Sequence, residues 1–292
     1  MEKLTDRIKI LSNGKYVLPY CNCLLIEDEI NCLCDSSPTD EEMEHLKGIN
    51  INLIVNSHGH TDHNSRNHEF PNAGVLLHPV EHERVASGEA YLAAYGFNHF
   101  QAEDVRPLYL DAVKYHARPA DGVLKDGQVI STGEVEFQVV HLPGHSGGHC
   151  GFFFPREGFI FTADINPAIK PFYAMMDSDV DDFIKSIDKI KQLKPEMLIA
   201  GHGKAINRGD LSTKLTEFSD EFYRRDEEII KRVREGKCTV KEIAEDAITF
   251  DGKFPRPKSI YYLHECIMIL KHLQHLEKTG EIICRDDTYS VK

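Results

Sequence analysis

The chain has 292 residues, 41% hydrophobic and 28% charged, enough for a large cored domain plus a small one without disulfide staples. Its formal net charge of −13 repels polyanions at long range, which weighs against a nucleic-acid partner. No apolar run approaches the roughly 20 residues that span a bilayer. The N-terminal MEKLTDRIKIL lacks the features of a secretory signal, so a cytoplasmic protein with no membrane partner is expected.

In chain order, short strands and helices alternate. RIKIL, CNCLLIE and INCLCD read as strands, the last two as a hairpin. With Asp28-Glu29 as its turn, Cys23 would lie opposite Cys34. Cys-x-Cys within a strand is not the spacing of structural zinc, so Cys21, Cys23, Cys32 and Cys34 are read as reduced, buried strand residues. TDEEMEHLKG then reads as a helix, INLIVNS and GVLLHP as strands, and VEHERVASGEAYLAAYG as helical. The strands EVEFQVVHL, GFFFP and GFIFTAD follow, then the helix DSDVDDFIKSIDKIKQL ending before Pro195, then the strand MLIAGHG. Such alternation predicts an α/β sheet-and-helix sandwich.

From about Leu211 the pattern turns helical. A long amphipathic stretch over 211–236, a short helix TVKEIAEDAI, a loop FDGKFPRPK and a helix SIYYLHECIMILKHLQHLEKTG precede a two-stranded wing, EIICRDDTYSVK. The expected organisation is a catalytic domain over 1–210 and a small winged-helix-like domain over 211–292, with the boundary near 210–222.

The chemistry is concentrated in NSHGHTDHN. In an extended segment His58, His60 and Asp62 point the same way, and His63 joins them as the chain turns into a helix. Imidazole with carboxylate suits zinc, iron or manganese. Four potential ligands exceed what one catalytic tetrahedral ion takes, so two ions are expected. His145 after a Pro-Gly turn, Asp164 at the end of GFIFTAD and His202 in AGHGK each place one more ligand type at a strand end, where rigid sheets present catalytic groups.

The ordered set HxHxDH, PGHS, a lone Asp and GHG resembles the metallo-β-lactamase superfamily over most of residues 8–205. The resemblance implies an αββα sandwich with a dinuclear centre along one edge. His58, His60 and His145 would bind the first metal, Asp62, His63 and His202 the second, and Asp164 would bridge them. It further implies a hydrolase in which a bridging hydroxide attacks an acyl or phosphoryl centre, with Asp62 orienting it. Asp164 stands where true class B lactamases have Cys, which argues against antibiotic hydrolysis. His60 stands where flavodiiron oxygen reductases have Glu, which argues against a redox di-iron role and leaves zinc ahead of iron or manganese. Ala163 stands where glyoxalase II relatives have Gly, and Ser36-Ser37 where relatives often show one. His149 is expected to orient a ligand by a hydrogen bond. His68, His78, His82, His99 and His116 are expected at the surface or around the pocket.

Two segments are expected to wall the pocket. One is 91–118, offering Tyr91, Tyr95, Phe97, Phe100 and Tyr115. The other is INPAIKPFYAMMDSD, where Tyr173 could bond a substrate oxyanion and Lys170 could meet an anion, with Met175 and Met176 over the metals. An apolar, aromatic pocket predicts an ester, thioester (an acyl-CoA among them) or lactone substrate. The C-terminal region resembles that of a lactamase-B-like branch containing a mitochondrial single-strand endoribonuclease and fungal polyketide thioesterases, which keeps RNA cleavage as the alternative. A DNA-reading metal or ligand sensor is the non-enzyme alternative. Residues 220–292 carry fourteen basic and fifteen acidic side chains, and the last helix pairs Lys271 and Lys278 with Glu265 and Glu277. That balance argues for a module that packs on the catalytic domain, as a pocket wall or homodimer interface, over one that reads nucleic acid.

Overall fold

The computed structural model describes residues 1–12, 14, 15, 18–100 and 106–292. Strands β1 (Glu2–Lys3), β2 (Ile8–Leu11), β3 (Cys23–Ile26), β4 (Cys32–Cys34), β5 (Leu53–Val55), β6 (Gly74–Leu77) and β7 (Gly122–Val123) lie in that order in one sheet, antiparallel up to β4 and parallel from β4 to β7. A second sheet holds β8 (Val129–Ser131), β9 (Glu136–His141), β10 (Cys150–Phe154), β11 (Phe159–Ala163), β12 (Met197–Ala200) and β13 (Ile206–Arg208) in the order β13-β12-β11-β10-β9-β8. Period-2 apolar residues such as Ile8, Ile10, Leu24 and Val55 meet Phe137, Phe152, Phe161 and Ile199 between the sheets.

Helices cover both outer faces, completing the αββα sandwich. Short helices α1 (Asp40–Met43), α2 (Thr61–Asn64), α3 (His82–Ala86), α4 (Gly88–Ala94) and α5 (Arg106–Ala112) accompany the first sheet. On the second, α6 (Val180–Leu193) buries Phe183, Ile187 and Ile190 against Val140, Ile160 and Leu198. Asp179 caps its first turn, and left-handed Lys194 ends it before Pro195.

α7 (Leu211–Arg234) runs unbroken through the expected boundary. Leu215, Phe218 and Phe222 pack on the sandwich, whereas Ile229, Ile230 and Val233 pack with α8 (Val240–Ala244), α9 (Lys258–Thr279) and the hairpin β14 (Ile282–Arg285)/β15 (Thr288–Val291). α9 is buried on nearly every side, because it touches three clusters at once: Met268 faces the sandwich, Ile269 and Leu273 the hairpin, and Leu263 and Ile267 the aromatic residues of 91–109.

Three local expectations need correction. The β3/β4 register sets Leu24 against Cys34 and Ile26 against Cys32, so Cys23 is not opposite Cys34. The connection is the five residues 27–31, because Asp28 Oδ2 reaches the second sheet, accepting from Val135 N (2.8 Å) and Thr132 Oγ1 (3.0 Å). The helical stretch 80–96 breaks at extended Ser87, whose hydroxyl caps α4. The short strands β1, β7, β8 and β13 carry too few residues to show a periodicity and were not anticipated.

Candidate metal centre and its cleft

Each expected ligand sits just past a strand end. The β5 end delivers His58 and His60, and α2 carries Asp62 and His63; His145 follows β9, Asp164 follows β11 and His202 follows β12. The potential ligand atoms of His58, His60, His145 and Asp164 lie within 4.8 Å of one another, as do those of Asp62, His63 and His202. His60 Nδ1 is 3.0 Å from His145 Nε2, and His63 Nε2 is 3.2 Å from His202 Nε2. Asp164 faces both groups: Oδ2 is 3.2 Å from His145 Nε2, and Oδ1 is 2.9 Å from His63 Nε2. His58 Nε2 and His60 Nε2 are buried without a hydrogen-bond partner. Buried polar atoms left unpaired are costly, and nitrogen and carboxylate oxygen converging in this way are the donor set of divalent metals.

The outward nitrogens of three of these histidines are held by hydrogen bonds. His63 Nδ1–H donates to Asp35 Oδ2 (2.7 Å), His58 Nδ1–H to Ser57 Oγ (2.9 Å), and His145 Nδ1–H to the Phe172 carbonyl oxygen (2.6 Å). Asp35 also accepts from Ser57 N and Ser57 Oγ. These bonds fix tautomer and ring orientation, leaving the inner nitrogens as lone-pair donors. Burial, then the neighbouring imidazoles, hold His58 well below its ordinary range. Burial opposes charge on Asp164, but His63, His202 and His145 overcome it and keep the carboxylate ionised. Burial likewise opposes the proton on His63, and Asp164, Cys21 and Asp35 retain it. A bound cation would displace that proton.

Glu81 ties the two histidine loops together. Fully buried, it accepts from Gly59 N (3.1 Å), Ser146 Oγ (2.7 Å) and Gly148 N (2.8 Å), and it pairs with Arg84 (3.0 Å), which also pairs with Asp177 (2.5 Å). A Cβ at Gly59 would lie 2.6 Å from Glu81 Oε2, so glycine is required for the approach. Asn22 straps the third loop, donating to the carbonyls of Ala200 (2.9 Å) and Gly203 (3.2 Å). Ser36 and Ser37 hold α2 in place through Asn67 and Ser65.

A cleft of about 420 Å³ opens onto His60, Asp62, Asp164 and His202. Tyr91, Tyr95 and Tyr109 wall one side and Phe172 another, while Phe250, Pro255, Pro257, Ile260, Tyr261 and His264 come from the C-terminal region. Burial pushes the Tyr91 phenol up to about 12 and holds Tyr95 and Tyr109 well above their ordinary value, so all three stay protonated. His264, neutral because burial lowers it to about 4, sits in a ring of aromatics with Tyr95, Tyr109, Phe172 and Tyr261.

Several expected residues lie elsewhere. Tyr173 is buried away from the cleft: its hydroxyl accepts from Arg225 Nη1 (2.8 Å) and donates to His272 Nε2 (2.5 Å), whose Nδ1–H donates to Asp226 (2.7 Å). It faces the C-terminal helices because that buried network satisfies its hydroxyl, so it is no oxyanion donor. Lys170 does reach the cleft, paired with Asp251 and Glu221. Met175 and Met176 pack on the aromatic cluster, Phe97 is core, and Tyr115 bonds the Arg84 carbonyl. His149 Nδ1 pairs with the Leu142 carbonyl instead of orienting a ligand. Residues 101–105 of the expected wall fall outside the described residues. Asp35, Glu81, Tyr109 and His264 were missed; Asp35 alone carried a signal, a carboxylate directly after a strand.

The model of the family described as the metallo-beta-lactamase superfamily matches residues 17–202. The chain is 26% identical over 203 residues to a hydroxyacylglutathione hydrolase of Cereibacter sphaeroides, covering 69% of this chain and 68% of that one. It is 29% identical over 117 residues to an atrochrysone carboxyl ACP thioesterase of Aspergillus fumigatus, covering 40% and 36%. The solved metallo-beta-lactamase family protein TTHA1429 of Thermus thermophilus superposes on 99% of this chain and 100% of its own, with TM-score 0.77 and 21% identity, a likeness of fold. TTHA1623 in a di-iron-bound form covers 69% of this chain and 97% of its own, with TM-score 0.53 and 25% identity. With the matched segment spanning well over half the chain and all seven metal-type side chains converging within it, the protein belongs to the metallo-beta-lactamase superfamily and is a metal-dependent hydrolase.

Proposed function

We propose that the protein hydrolyses a thioester, ester or lactone with a largely apolar acyl group, using two divalent ions, zinc ahead of iron or manganese. The observation that carries the reading is the junction of an aromatic chamber with His60, Asp62, Asp164 and His202. An organic acyl group suits that lining better than a polyphosphate. The names of the relatives, a hydroxyacylglutathione hydrolase and a thioesterase, support the same class of bond.

His58, His60 and His145 would hold one ion, Asp62, His63 and His202 the other, and Asp164 both. Bound divalent cations supply Lewis acidity and lower the pKa of water. The chain supplies the rest. Asp62 stands on the cleft floor; burial opposes its charge, but a bond from His202 and the charge of His63 keep it ionised, so it can orient water and accept its proton. The protonated Tyr95 and Tyr109 hydroxyls can donate to the substrate, and the aromatic wall keeps bulk water out. The water oxygen bonds to the acyl carbon, the bond to sulfur or oxygen breaks, and the departing thiolate or alkoxide takes the proton that water gave up.

The test is a panel on metal-loaded protein: acyl-CoA thioesters, S-lactoylglutathione, acyl-homoserine lactones and single-stranded RNA, with metal content measured alongside. Thioester cleavage that disappears in Asp164→Ala is expected. Cleavage of RNA only would overturn the reading.

A further inference from the structure

The chamber and its rim carry opposite electrical character. Among the residues lining the cleft, Lys170 is the one permanent cation, and Asp251 and Glu221 already pair with it. The rim segment 251–258, DGKFPRPK, holds three cations against one acid in a chain of net charge −13. Pro255 and Pro257 line the cleft, while Lys253, Arg256 and Lys258 are exposed. Lys258 Nζ lies 5.4 Å from the centroid of the Phe254 ring, which draws that ammonium back onto the rim. The two prolines fix φ on either side of Arg256, so its guanidinium is presented from a stiff strap with little to order on binding.

We propose that this rim binds the phosphates of a coenzyme A-type thiol, so that the substrate is a thioester whose leaving group is phosphorylated. This rests on the thioester reading of the site. The acyl group enters the neutral aromatic chamber, and the thiol arm leaves through the mouth past Pro255 and Pro257. An acidic protein repels a polyanion at long range, so binding one requires a local basic patch of this kind. Arg256 can grip phosphate in bidentate fashion, and the two lysines add point charge. The attraction is exposed and therefore screened, with a Debye length of about 8 Å at physiological salt.

The experiment offers each of several acyl groups to the metal-loaded, full-length protein on two thiols, coenzyme A and the phosphate-free N-acetylcysteamine. The wild type should prefer the coenzyme A form by about tenfold or more in kcat/KM at low salt, equivalent to about 1.4 kcal/mol. That preference should shrink as potassium chloride is added. The double reversal Lys253→Glu/Arg256→Glu should lower the ratio of the two kcat/KM values about tenfold, chiefly through KM for the coenzyme A thioester. Calorimetric binding of free coenzyme A, weakened in the same variant, reads the contrast without turnover. Equal kcat/KM on both thiols, with no salt dependence and no binding of coenzyme A, would overturn the inference while leaving the thioesterase reading intact. Salt-sensitive binding of coenzyme A with cleavage of neither thioester would support the phosphate site on the rim but overturn the thioesterase reading, and with it the substrate assigned here. Tighter retention of single-stranded RNA than of coenzyme A on the same rim would also overturn it.

Discussion

On the floor of the cleft, the metal-type side chains stand on short segments that follow strand ends, and Asp35, Ser57 and the Phe172 carbonyl hold the outer nitrogens of His63, His58 and His145. On its roof, Phe250, Pro255, Tyr261 and His264 come from a loop and one helix more than forty residues beyond the last ligand. The two regions meet at 171–173. There the Phe172 carbonyl accepts from His145, while the Pro171 carbonyl (2.9 Å) and the Tyr173 hydroxyl (2.8 Å) accept from Arg225 of α7. The contrast follows from what each region must do. Metal chemistry needs donor atoms held to a fraction of an ångström, which short loops on rigid sheets and bonded rings provide. A substrate wall needs shape and polarity, which distant segments can supply by packing alone.

The largest expected effect tests that division on the floor. Asp164→Ala should strip both ions and lower turnover well beyond the roughly 10–100-fold typical of outer partners of metal ligands. His58→Ala should remove one ion. Tyr261→Ala on the roof should keep both ions and change chiefly KM. Metal content measured beside steady-state kinetics decides this, and loss of metal from the roof variant would break the comparison.

Glu81→Ala comes next, because it releases the two histidine loops from each other. It removes one partner of a buried pair and deprives Gly59 N, Ser146 Oγ and Gly148 N of their acceptor. Removing one partner of a buried pair costs about 3–5 kcal/mol, so urea unfolding should show a loss of that order. A loss below about 1 kcal/mol, on the scale of an exposed pair, would show that the loops hold their places without it.

The same division explains what the sequence could show. HxHxDH, PGHS and the strand-end Asp164 and His202 are legible because each is a short motif on a short apolar strand, where local pattern and tertiary position coincide. The roof is illegible because His264 lies in the middle of an apolar helix and looks like core. Tyr109 similarly falls in a short helix with no motif around it. Tyr173 misled for the opposite reason. Its place after Asp164 suggested a lid, yet the partners that claim its hydroxyl, Arg225 and His272, lie 52 and 99 residues away. Long α9 was visible from its spacing, but its burial on three fronts could be seen only once the sandwich and the hairpin were assembled around it.

Tyr173→Phe sharpens the comparison where floor and roof join. It leaves Arg225 and His272 each without one buried partner, a cost of about 1–3 kcal/mol in stability. Turnover should stay within about threefold, since the Pro171 carbonyl still accepts from Arg225 and the Phe172 carbonyl still accepts from His145. A collapse of kcat with both ions retained would return Tyr173 to the chemistry.

The smallest expected effect is at Ala163, just before Asp164, which faces both groups of metal-type side chains. Its φ is 45°, a left-handed conformation, at the point where the β11/β12 register shifts. That shift swings Asp164 out of the strand towards both ligand groups, so the backbone strain serves the site. Left-handed backbone costs alanine roughly 1–2 kcal/mol, and glycine would relieve it. Glycine also gives the unfolded chain more freedom, which takes back about 0.5–1 kcal/mol. Ala163→Gly should therefore stabilise the protein by about 0.5–1 kcal/mol, the difference between those two magnitudes, with metal content unchanged. Destabilisation by more than about 1 kcal/mol would mean that the Ala163 methyl, fully buried between the sheets, contributes more by packing than the strain removes.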